Sequence, residues 1–351
     1  MSVQPEAPPS RLKIAATILF HSTCAISVTI ISKSALTKIS LPITLLATQT
    51  FVSMALLILI GRPMGWIKIR QPLTLWKTLF PLTVARLIGV LAKTYCLANV
   101  HASFYQIARG LLLPFTLLLS YLLLRPRPTY TFTSLSGCAL VMCGFGVGMV
   151  NDYQKMATST LGMALGVGSS FTTAVESIVV KKFMSGKTKE VGMWQMIYMT
   201  NFMALMIYIP LLWSTPEWNS LQEHLMTADS SELLSSFVKT SIVTGITTFL
   251  LTIATFLQIS VTSPTTHMIV TAARGVAQSG LAVVILKELV SAGRVLGMAC
   301  ILGGSMIYGV GKEEARKEAK EGYQRVAADD VEKGTIEMKV RDGEVSEKEK
   351  A

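Results

Sequence analysis

The feature that most constrains this chain is a series of ten apolar segments, each about as long as a bilayer is thick. They lie at residues 14 to 34, 42 to 61, 79 to 99, 104 to 124, 132 to 151, 160 to 180, 192 to 213, 237 to 258, 265 to 286 and 295 to 311. A helix of about 20 residues crosses the hydrocarbon core of a bilayer. Lipid admits only helices or closed barrels, and these segments lack the period-two alternation of barrel strands. We therefore predict an all-α membrane protein with ten transmembrane helices.

The charged residues agree with a membrane protein whose last part is polar. Of 351 residues, 15% are charged, whereas soluble domains average about 25%. Residues 312 to 351 hold 10 Lys/Arg and 12 Asp/Glu, so the net charge of +11 comes from the preceding part. There the basic residues sit between apolar segments and form no continuous surface, which argues against nucleic acid as a partner. The predicted partners are the lipid bilayer and a small anionic substrate.

The distribution of cations also predicts the orientation in the membrane. If the N-terminus is cytosolic, the cytosolic connections hold twelve Lys/Arg against two acids, and the opposite connections hold four against five. The positive-inside rule then places both termini in the cytosol, which requires an even number of spans. Residues 1–13 form a cytosolic N-terminal segment in this prediction, and residues 312–351 form a charged cytosolic tail.

An internal repeat divides the ten segments into two halves. The tripeptide Ala-Arg-Gly occurs in the fourth and ninth segments, with Arg109 and Arg274 separated by 165 residues. Four glycines have an offset of 160 residues: Gly137 with Gly297, and Gly144 with Gly304. We predict two five-helix repeats at residues 14–151 and 160–311. An odd number of helices per repeat makes the second copy inverted, and transporters of this kind bind substrate between the repeats.

Two arginines lie where a membrane disfavours charge. No charged residue follows Arg109 until Arg125, and Arg274 lies near the middle of its segment. An arginine at the centre of a span costs roughly 2.5 to 3.5 kcal/mol on insertion scales and usually faces a cavity or a partner. The functional interpretation is a substrate site. The structural alternative is that each arginine pairs with carbonyl groups or with Glu176.

Further cations extend this charge along neighbouring segments. Arg86 and Lys93 lie seven residues apart on one face of the third helix, and Lys33 closes the first segment. Arg86 and Lys33 could equally extend along the helix to reach the interface. Acids are scarce in the spans, which leaves an uncompensated cationic pocket. Arginine binds phosphate through a planar fork of donors, so the predicted cargo is a phosphorylated anion.

A bare cationic pocket also predicts exchange. Closing the pocket would remove water from unpaired charges, and a bound anion lowers that cost, so the carrier reorients mainly when loaded.

Side chains suited to contacts with a base or sugar occur at six positions: Tyr105, Gln106, Tyr198, Asn201, Thr271 and Gln278.

Other classes of function have less support. The five cysteines fall inside apolar segments without zinc-like spacing, so neither a metal nor a disulfide framework is predicted. The spans show no paired acids, and His21 and His267 lack an evident nucleophile partner, so we predict no enzyme and no cofactor. A receptor or scaffold without transport remains the alternative, and the oligomeric state stays open, with a homodimer as one candidate.

Two stretches of sequence resemble a known family. They are Phe104-Tyr105-Gln106-Ile107-Ala108-Arg109-Gly110 with the following Leu118–Leu124 region, and Thr262-Ser263-Pro264 followed by Thr271-Ala272-Ala273-Arg274-Gly275. Together with Gly303-Gly304-Ser305 they resemble Golgi GDP-fucose transporters, in the nucleotide-sugar and triose-phosphate branch of the drug/metabolite transporters. The resemblance covers residues 14 to 311. It implies antiport of a nucleotide sugar against a nucleoside monophosphate in the Golgi membrane, with the endoplasmic reticulum membrane as the alternative.

Departures from the family pattern bear on the substrate. Arg274 stands where the family usually has lysine, Ser32 precedes Lys33 where asparagine is expected, and the seventh-span motif is reduced to Tyr198-Met199-Thr200-Asn201. The motif of GDP-mannose carriers is replaced, which argues against GDP-mannose. Because Arg86 and Lys93 add charge beyond the family pattern, a smaller phosphate ester carried by a triose-phosphate-like translocator is the second hypothesis.

Overall fold

Helices make up the regular structure throughout the described chain. The computed structural model describes residues 11–123, 130–154, 160–184, 191–227, 231–261, 264–286 and 291–318. Its helices are α1 (Arg11–Lys38), α2 (Pro42–Gly61), α3 (Leu73–Asn99), α4 (Ala102–Gly110), α5 (Leu112–Leu123), α6 (Phe132–Gln154), α7 (Thr160–Met184), α8 (Met193–Ser214), α9 (Glu217–Met226), α10 (Ser231–Val261), α11 (Pro264–Leu286) and α12 (Ala292–Glu318). The N-terminal segment up to residue 10, most of the predicted repeat boundary and most of the tail lie outside the described residues.

The prediction of a helical membrane protein is confirmed. Within the described residues, eight helices are long and apolar enough to cross a membrane, with α4 and α5 counted together as Phe104–Leu123. The central part of each of the ten predicted segments is helical. The sixth and ninth segments form α7 and α11, which are not among the eight long apolar helices. The helices extend beyond the apolar segments at several ends; α1, for example, begins at Arg11 and ends at Lys38.

The fourth predicted segment is divided into two helices. α4 ends at Gly110, and the backbone N–H of Leu111 donates to the carbonyl of Ala108 at 3.1 Å, a tightened turn. Pro114 lies four residues after Gly110 and has no N–H to donate to the Gly110 carbonyl, so the helix changes course here. A Cβ on Gly110 would lie 2.9 Å from Ile301 Cδ1, so this turn contacts α12 closely. Arg109 therefore lies at the end of a short helix.

A helix absent from the sequence prediction closes one end of the bundle. α9 begins at Glu217, which is buried, and its carboxylate accepts hydrogen bonds from the backbone N–H of Ile43 at 2.9 Å and of Thr44 at 2.7 Å. The Thr44 hydroxyl donates to the same carboxylate at 2.8 Å. These N–H groups belong to the first turn of α2, whose own N-cap residue, Leu41, makes no side-chain cap. Glu217 thus satisfies the free donors of a helix N-terminus with a charge of the favourable sign.

Four glycines join α6 to α12 at close range. A Cβ on Gly137 would lie 2.6 Å from the Gly304 carbonyl oxygen, and a Cβ on Gly144 would lie 2.7 Å from that of Gly297. Real side chains do not approach backbone so closely, so only glycine fits at these crossings. As residue numbers rise along α6 they fall along α12, so the two helices are antiparallel at this contact.

Two apolar clusters lie on either side of a polar layer in α2. Leu57 packs with Leu79, Leu82 and Phe249 in one cluster, and Ile43 and Leu46 pack in another with residues of α3 and α8. Gln49, Thr50 and Ser53 lie between them along the helix. At 1.5 Å per residue, Leu46 and Leu57 are separated by about 16 Å. The clusters therefore enclose a polar layer between the two ends of the bundle.

Candidate functional site

The polar layer contains two adjoining cavities. The first, called here the polar cavity, has a volume of about 170 Å³ and lies between α2, α3, α8 and α10. The second, the adjacent cavity, has about 160 Å³ and is bounded by α1, α2, α3 and α4. Both are lined by Leu46, Gln49 and Val90, so the two spaces border each other.

Hydrogen-bonding side chains dominate the polar cavity. Arg86 Nη1 donates to the Thr200 hydroxyl at 3.1 Å, and Gln49 Nε2 donates to the Thr248 hydroxyl across from α2 to α10. The buried residue Asn201, a predicted substrate contact, lines the cavity. Further polar lining residues are Thr50, Ser53, Thr83, Tyr208 and Thr252. Such a wall offers both donors and acceptors to a polyhydroxylated or heterocyclic group.

The adjacent cavity brings in Lys93 and Tyr105, two predicted site residues. Lys93 Nζ lies 3.5 Å from Glu176 Oε2, so this carboxylate pairs with Lys93. The structural alternative weighed for the arginines, a pair with Glu176, is therefore not found. Tyr105 is buried, and its ring lies beneath Arg109, with 5.8 Å between the guanidinium carbon and the ring centroid. This cation–π contact holds Arg109 without neutralising it.

Arg109 and Gln106 line a third and larger space. This groove has a volume of about 340 Å³ and runs between α4, α5 and α7 on one side and α11 and α12 on the other. Its remaining wall is mostly apolar, with Ser177, Ser305 and Lys312 among its polar residues. Arg109 has no acidic partner among the described residues.

Arg274 lies close enough to Arg109 and Tyr105 to interact with both electrostatically. Its Nε is buried without a hydrogen-bond partner among the described residues, and Arg274 does not line any of these three cavities. The structure thus brings the repeated arginines of α4 and α11 near each other, with Arg274 Nε lacking a hydrogen bond within the described residues.

These side chains form one cation cluster, which we define as Arg86, Lys93, Arg109 and Arg274. Lys93 interacts electrostatically with Arg86 and Arg109, and Arg109 in turn with Arg274. Among the residues that the structure describes, Glu176 is the one acid in contact with the cluster. The cluster therefore has three more basic side chains than acidic ones. Burying like charges together is costly, so an arrangement of this kind calls for an anion.

Gln106 lies at the contact between α4 and α11, and a second predicted glutamine, Gln278, is buried in α11. The Gln106 side chain packs directly on Gly275, where a Cβ would collide with it. Gln106 Oε1 is buried without a hydrogen bond in the described structure, and the same holds for both side-chain polar atoms of the fully buried Gln278. Unpaired buried amides cost about 1 to 3 kcal/mol, so they are candidates for contact with a ligand.

Three predicted residues take other places. Lys33 donates to the carbonyls of Leu97 at 2.8 Å and Val100 at 2.6 Å, which caps the C-terminal end of α3. Tyr198 is buried in the apolar cluster around Leu79, 6.4 Å from the ring of Phe202, and lines none of the three cavities. The side chain of Thr271 lies outside the described part of the structure.

The sequence-based candidates omitted several residues that line the polar cavity. Arg86 was identified as a cation but had an equally weighted interfacial interpretation, and the structure places it in the cavity wall beside Thr200. The sequence-based prediction did not include Gln49 or Tyr208, which also line the polar cavity. The available signal for Gln49 was its position as a single amide within the apolar sequence of α2. Metal binding has no geometric support in the described residues, since no group of three or more His, Cys, Asp or Glu converges there.

A helical membrane bundle around polar, cation-lined cavities is typical of membrane transporters, and the family match identifies the chain as a transporter and not an enzyme. The chain belongs to the Triose-phosphate Transporter family, whose model matches residues 12–309. An uncharacterized transporter of Schizosaccharomyces pombe is 38% identical over 89% of this chain and 78% of its own length.

Two similar proteins carry more specific names. GDP-fucose transporter 1 of Dictyostelium discoideum is 30% identical over 65% of this chain and 59% of that relative, so the match spans about three fifths of its length. GDP-fucose transporter 1 of Nematostella vectensis is 27% identical over 85% of this chain and 88% of that relative. The resemblance drawn from the motifs around Arg109 and Arg274 is thus confirmed at the level of the family.

Proposed function

We propose that the protein is a secondary-active antiporter that carries a nucleotide sugar, best represented by GDP-fucose, across the Golgi membrane in exchange for a nucleoside monophosphate. The observation that carries this proposal is the cation cluster, which has an excess of three positive charges in the interior of a membrane protein. A nucleoside diphosphate sugar and a nucleoside monophosphate both bring negative charge into this site. The cargo and the counter-substrate can therefore use the same cations.

The cluster also gives a reason for exchange. Reorientation of the protein around a bare cluster would move unpaired charges through a state from which water is excluded, which is unfavourable. A phosphate group held by the forked donors of Arg109 and Arg274 removes most of that penalty. Loaded protein then reorients faster than unloaded protein, and net movement in one direction requires a return passenger.

Substrate identity is supported by the polar cavity and the named relatives. Hydroxyl and amide groups of Gln49, Asn201, Thr200 and Thr248 line a space next to the cations, as a base or sugar attached to a phosphate would require. Several relatives are named GDP-fucose transporters, which favours a GDP-sugar. A relative of Drosophila melanogaster is named as a Golgi GDP-fucose transporter, which supports the Golgi membrane as the location. The endoplasmic reticulum membrane is the alternative, and a homodimer stays a prediction.

We further propose ten spans in two inverted five-helix repeats, at residues 14–151 and 160–311, with both termini in the cytosol. The glycine contacts between α6 and α12 support this arrangement. An offset of 160 residues turns the contact of Gly137 with Gly304 into the contact of Gly297 with Gly144, and both contacts exist. A contact that maps onto itself in this way is characteristic of a two-fold axis. Because the two helices are antiparallel, the axis lies in the membrane plane.

A triose-phosphate-like organophosphate/phosphate translocator is the second candidate. The density of charge favours it, because Arg86 and Lys93 add two cations to the repeated arginines. A small phosphate ester has more charge per volume than a nucleotide sugar and would use such a cluster fully.

Exchange in proteoliposomes tests the proposal. Purified protein is reconstituted, the vesicles are loaded with GMP, inorganic phosphate or buffer, and uptake of labelled GDP-fucose is followed. We expect several-fold faster uptake into GMP-loaded vesicles than into the other two. Equal rates into all three would refute exchange, and phosphate-driven uptake of phosphoenolpyruvate without GDP-fucose uptake would support the second candidate.

A further inference from the structure

The ion pair between Lys93 and Glu176 joins α3 to α7 at the edge of the cation cluster. Lys93 lines the adjacent cavity, so part of its side chain is accessible to a ligand there. Both side chains are partly accessible, with exposed fractions of 31% for Lys93 and 17% for Glu176. Neither side chain is therefore fully buried.

The carboxylate occupies a space that the opposite helix leaves open. A Cβ on Gly89 of α3 would lie 3.0 Å from Glu176 Oε2, closer than an ordinary van der Waals contact. Gly89 lies four residues before Lys93 on the same helical face. The glycine thus admits the carboxylate beside the cation, and a larger residue at this position would push it away.

The contact itself is loose for an ion pair. A charge-assisted N–H···O bond usually spans about 2.7 to 2.9 Å, whereas Lys93 Nζ and Glu176 Oε2 are 3.5 Å apart. Glu176 Oε2 is buried and has no hydrogen bond within the described residues. Lysine has three donors that turn freely, so its ammonium can change partners without a rearrangement of the helix. This geometry would allow another oxyanion to replace the Glu176 carboxylate next to the Lys93 ammonium.

From these contacts we propose that Glu176 is an internal counter-anion, which holds Lys93 when no cargo is bound and is displaced from it by a substrate phosphate. This inference rests on the proposed function, because it assigns a role within the same anion site. Glu176 competes with the substrate and lowers its affinity. It also neutralises part of the cluster in the unloaded protein, which makes reorientation without cargo less unfavourable. Glu176 therefore determines how strongly transport depends on a counter-substrate.

Charge counting predicts a definite order of affinities. The cluster has an excess of three positive charges with Glu176 present, four in Glu176→Gln and two in Lys93→Gln. The double variant Lys93→Gln/Glu176→Gln returns to three. We expect Glu176→Gln to bind anions about tenfold more tightly, equivalent to about 1.4 kcal/mol. Lys93→Gln should bind more weakly than wild type, and the double variant should bind about as tightly as wild type.

The first measurement is ligand-dependent thermal stabilisation of the purified full chain, with inorganic phosphate and GMP as separate probes. Glu232→Gln serves as the matched control, since Glu232 is an exposed acid in the first turn of α10. It has the same change of charge and should bind both probes as wild type does. If Glu176→Gln fails to fold, Glu176→Asp withdraws the carboxylate by one methylene, and it must also tighten phosphate binding, by a smaller factor.

The second measurement is the ratio of GDP-fucose uptake into GMP-loaded vesicles to uptake into empty vesicles. Glu176→Gln should raise this ratio several-fold, because its bare cluster reorients less readily, and a merely structural carboxylate would leave the ratio unchanged. Unchanged or weaker binding of both probes by Glu176→Gln overturns the inference, and weaker binding would mean that Glu176 contacts the ligand directly. Tighter phosphate binding without GDP-fucose exchange in wild type would support the counter-anion and refute the proposed function. Absence of binding by wild type and Glu176→Gln alike overturns the inference as well.

Discussion

Removal of the guanidinium at Arg274 is the sharpest test of the cation cluster. Arg274 interacts with Arg109 and Tyr105, and its Nε has no hydrogen-bond partner among the described residues. An arginine at the centre of a span costs roughly 2.5 to 3.5 kcal/mol on insertion scales. Arg274→Ala relieves that cost and the repulsion from Arg109. The variant should therefore fold, with a melting temperature equal to or above that of wild type.

Transport should change in the opposite direction. A hydrogen bond to a charged group contributes about 1.5 to 3 kcal/mol, so loss of the contact should lower kcat/KM roughly 10- to 150-fold. Arg274→Lys keeps the charge but loses the planar fork, and it should retain a larger part of the activity. The assay is exchange of labelled GDP-fucose against GMP in proteoliposomes, with folding followed by thermal unfolding in detergent.

The combination of outcomes decides between two roles. A stable Arg274→Ala protein that exchanges substrate at the wild-type rate would refute a substrate contact. A protein that no longer folds would mean that Arg274 holds α11 in place, and the reasoning from burial cost would then be wrong. Only stability together with lost exchange agrees with a cation kept for the substrate.

Two further predictions concern stability. Gly144→Ala should destabilise the protein, because the added Cβ would lie 2.7 Å from the Gly297 carbonyl oxygen, whereas Gly146→Ala on the same helix meets nothing within 4 Å and should be neutral or slightly stabilising. Thermal unfolding of the two variants side by side checks this, and equal melting temperatures would contradict the close crossing of α6 and α12. Glu217→Ala should lower the free energy of unfolding by about 1 to 3 kcal/mol, because the first N–H groups of α2 lose a charged acceptor. Denaturant unfolding measures the loss, and an unchanged midpoint would show that Glu217 contributes no cap.

The span-forming helices were predictable because each must place a long apolar surface against lipid. That requirement is local, so about 20 consecutive residues contain the whole signal. α9 was missed because it is short and polar, and its stability comes from contacts with α2. The break at Gly110 was also missed. Its physical cause is visible in the sequence, because Pro114, four residues later, cannot donate a hydrogen bond to the Gly110 carbonyl.

The candidate site was predictable only in part. The repeated tripeptide led to Arg109 and Arg274, which the structure brings close together. The partners of Lys33 and Lys93 could not be predicted from the sequence, because they lie on other helices, 64 to 83 residues away along the chain. Periodicity shows which face of a helix a residue occupies, but the group opposite that face depends on how the helices pack. The substrate roles of Tyr105, Gln106 and Gln278 stay predictions.

The contacts of the buried charges separate those that hold the fold from those kept for the cargo. Lys33 is bound by two carbonyls at 2.6 and 2.8 Å, and Glu217 by three donors at 2.7 to 2.9 Å. Both therefore complete the ends of helices, where the backbone supplies the opposite partial charge. Arg109 has a cation–π contact, Arg274 has an unpaired Nε, and Lys93 has a carboxylate at 3.5 Å. A charge held by short backbone contacts cannot bind a substrate without unfolding a helix end, whereas a charge with loose or missing partners can. On this criterion we assign Lys33 to the scaffold and propose that Lys93, Arg109 and Arg274 belong to the transport site.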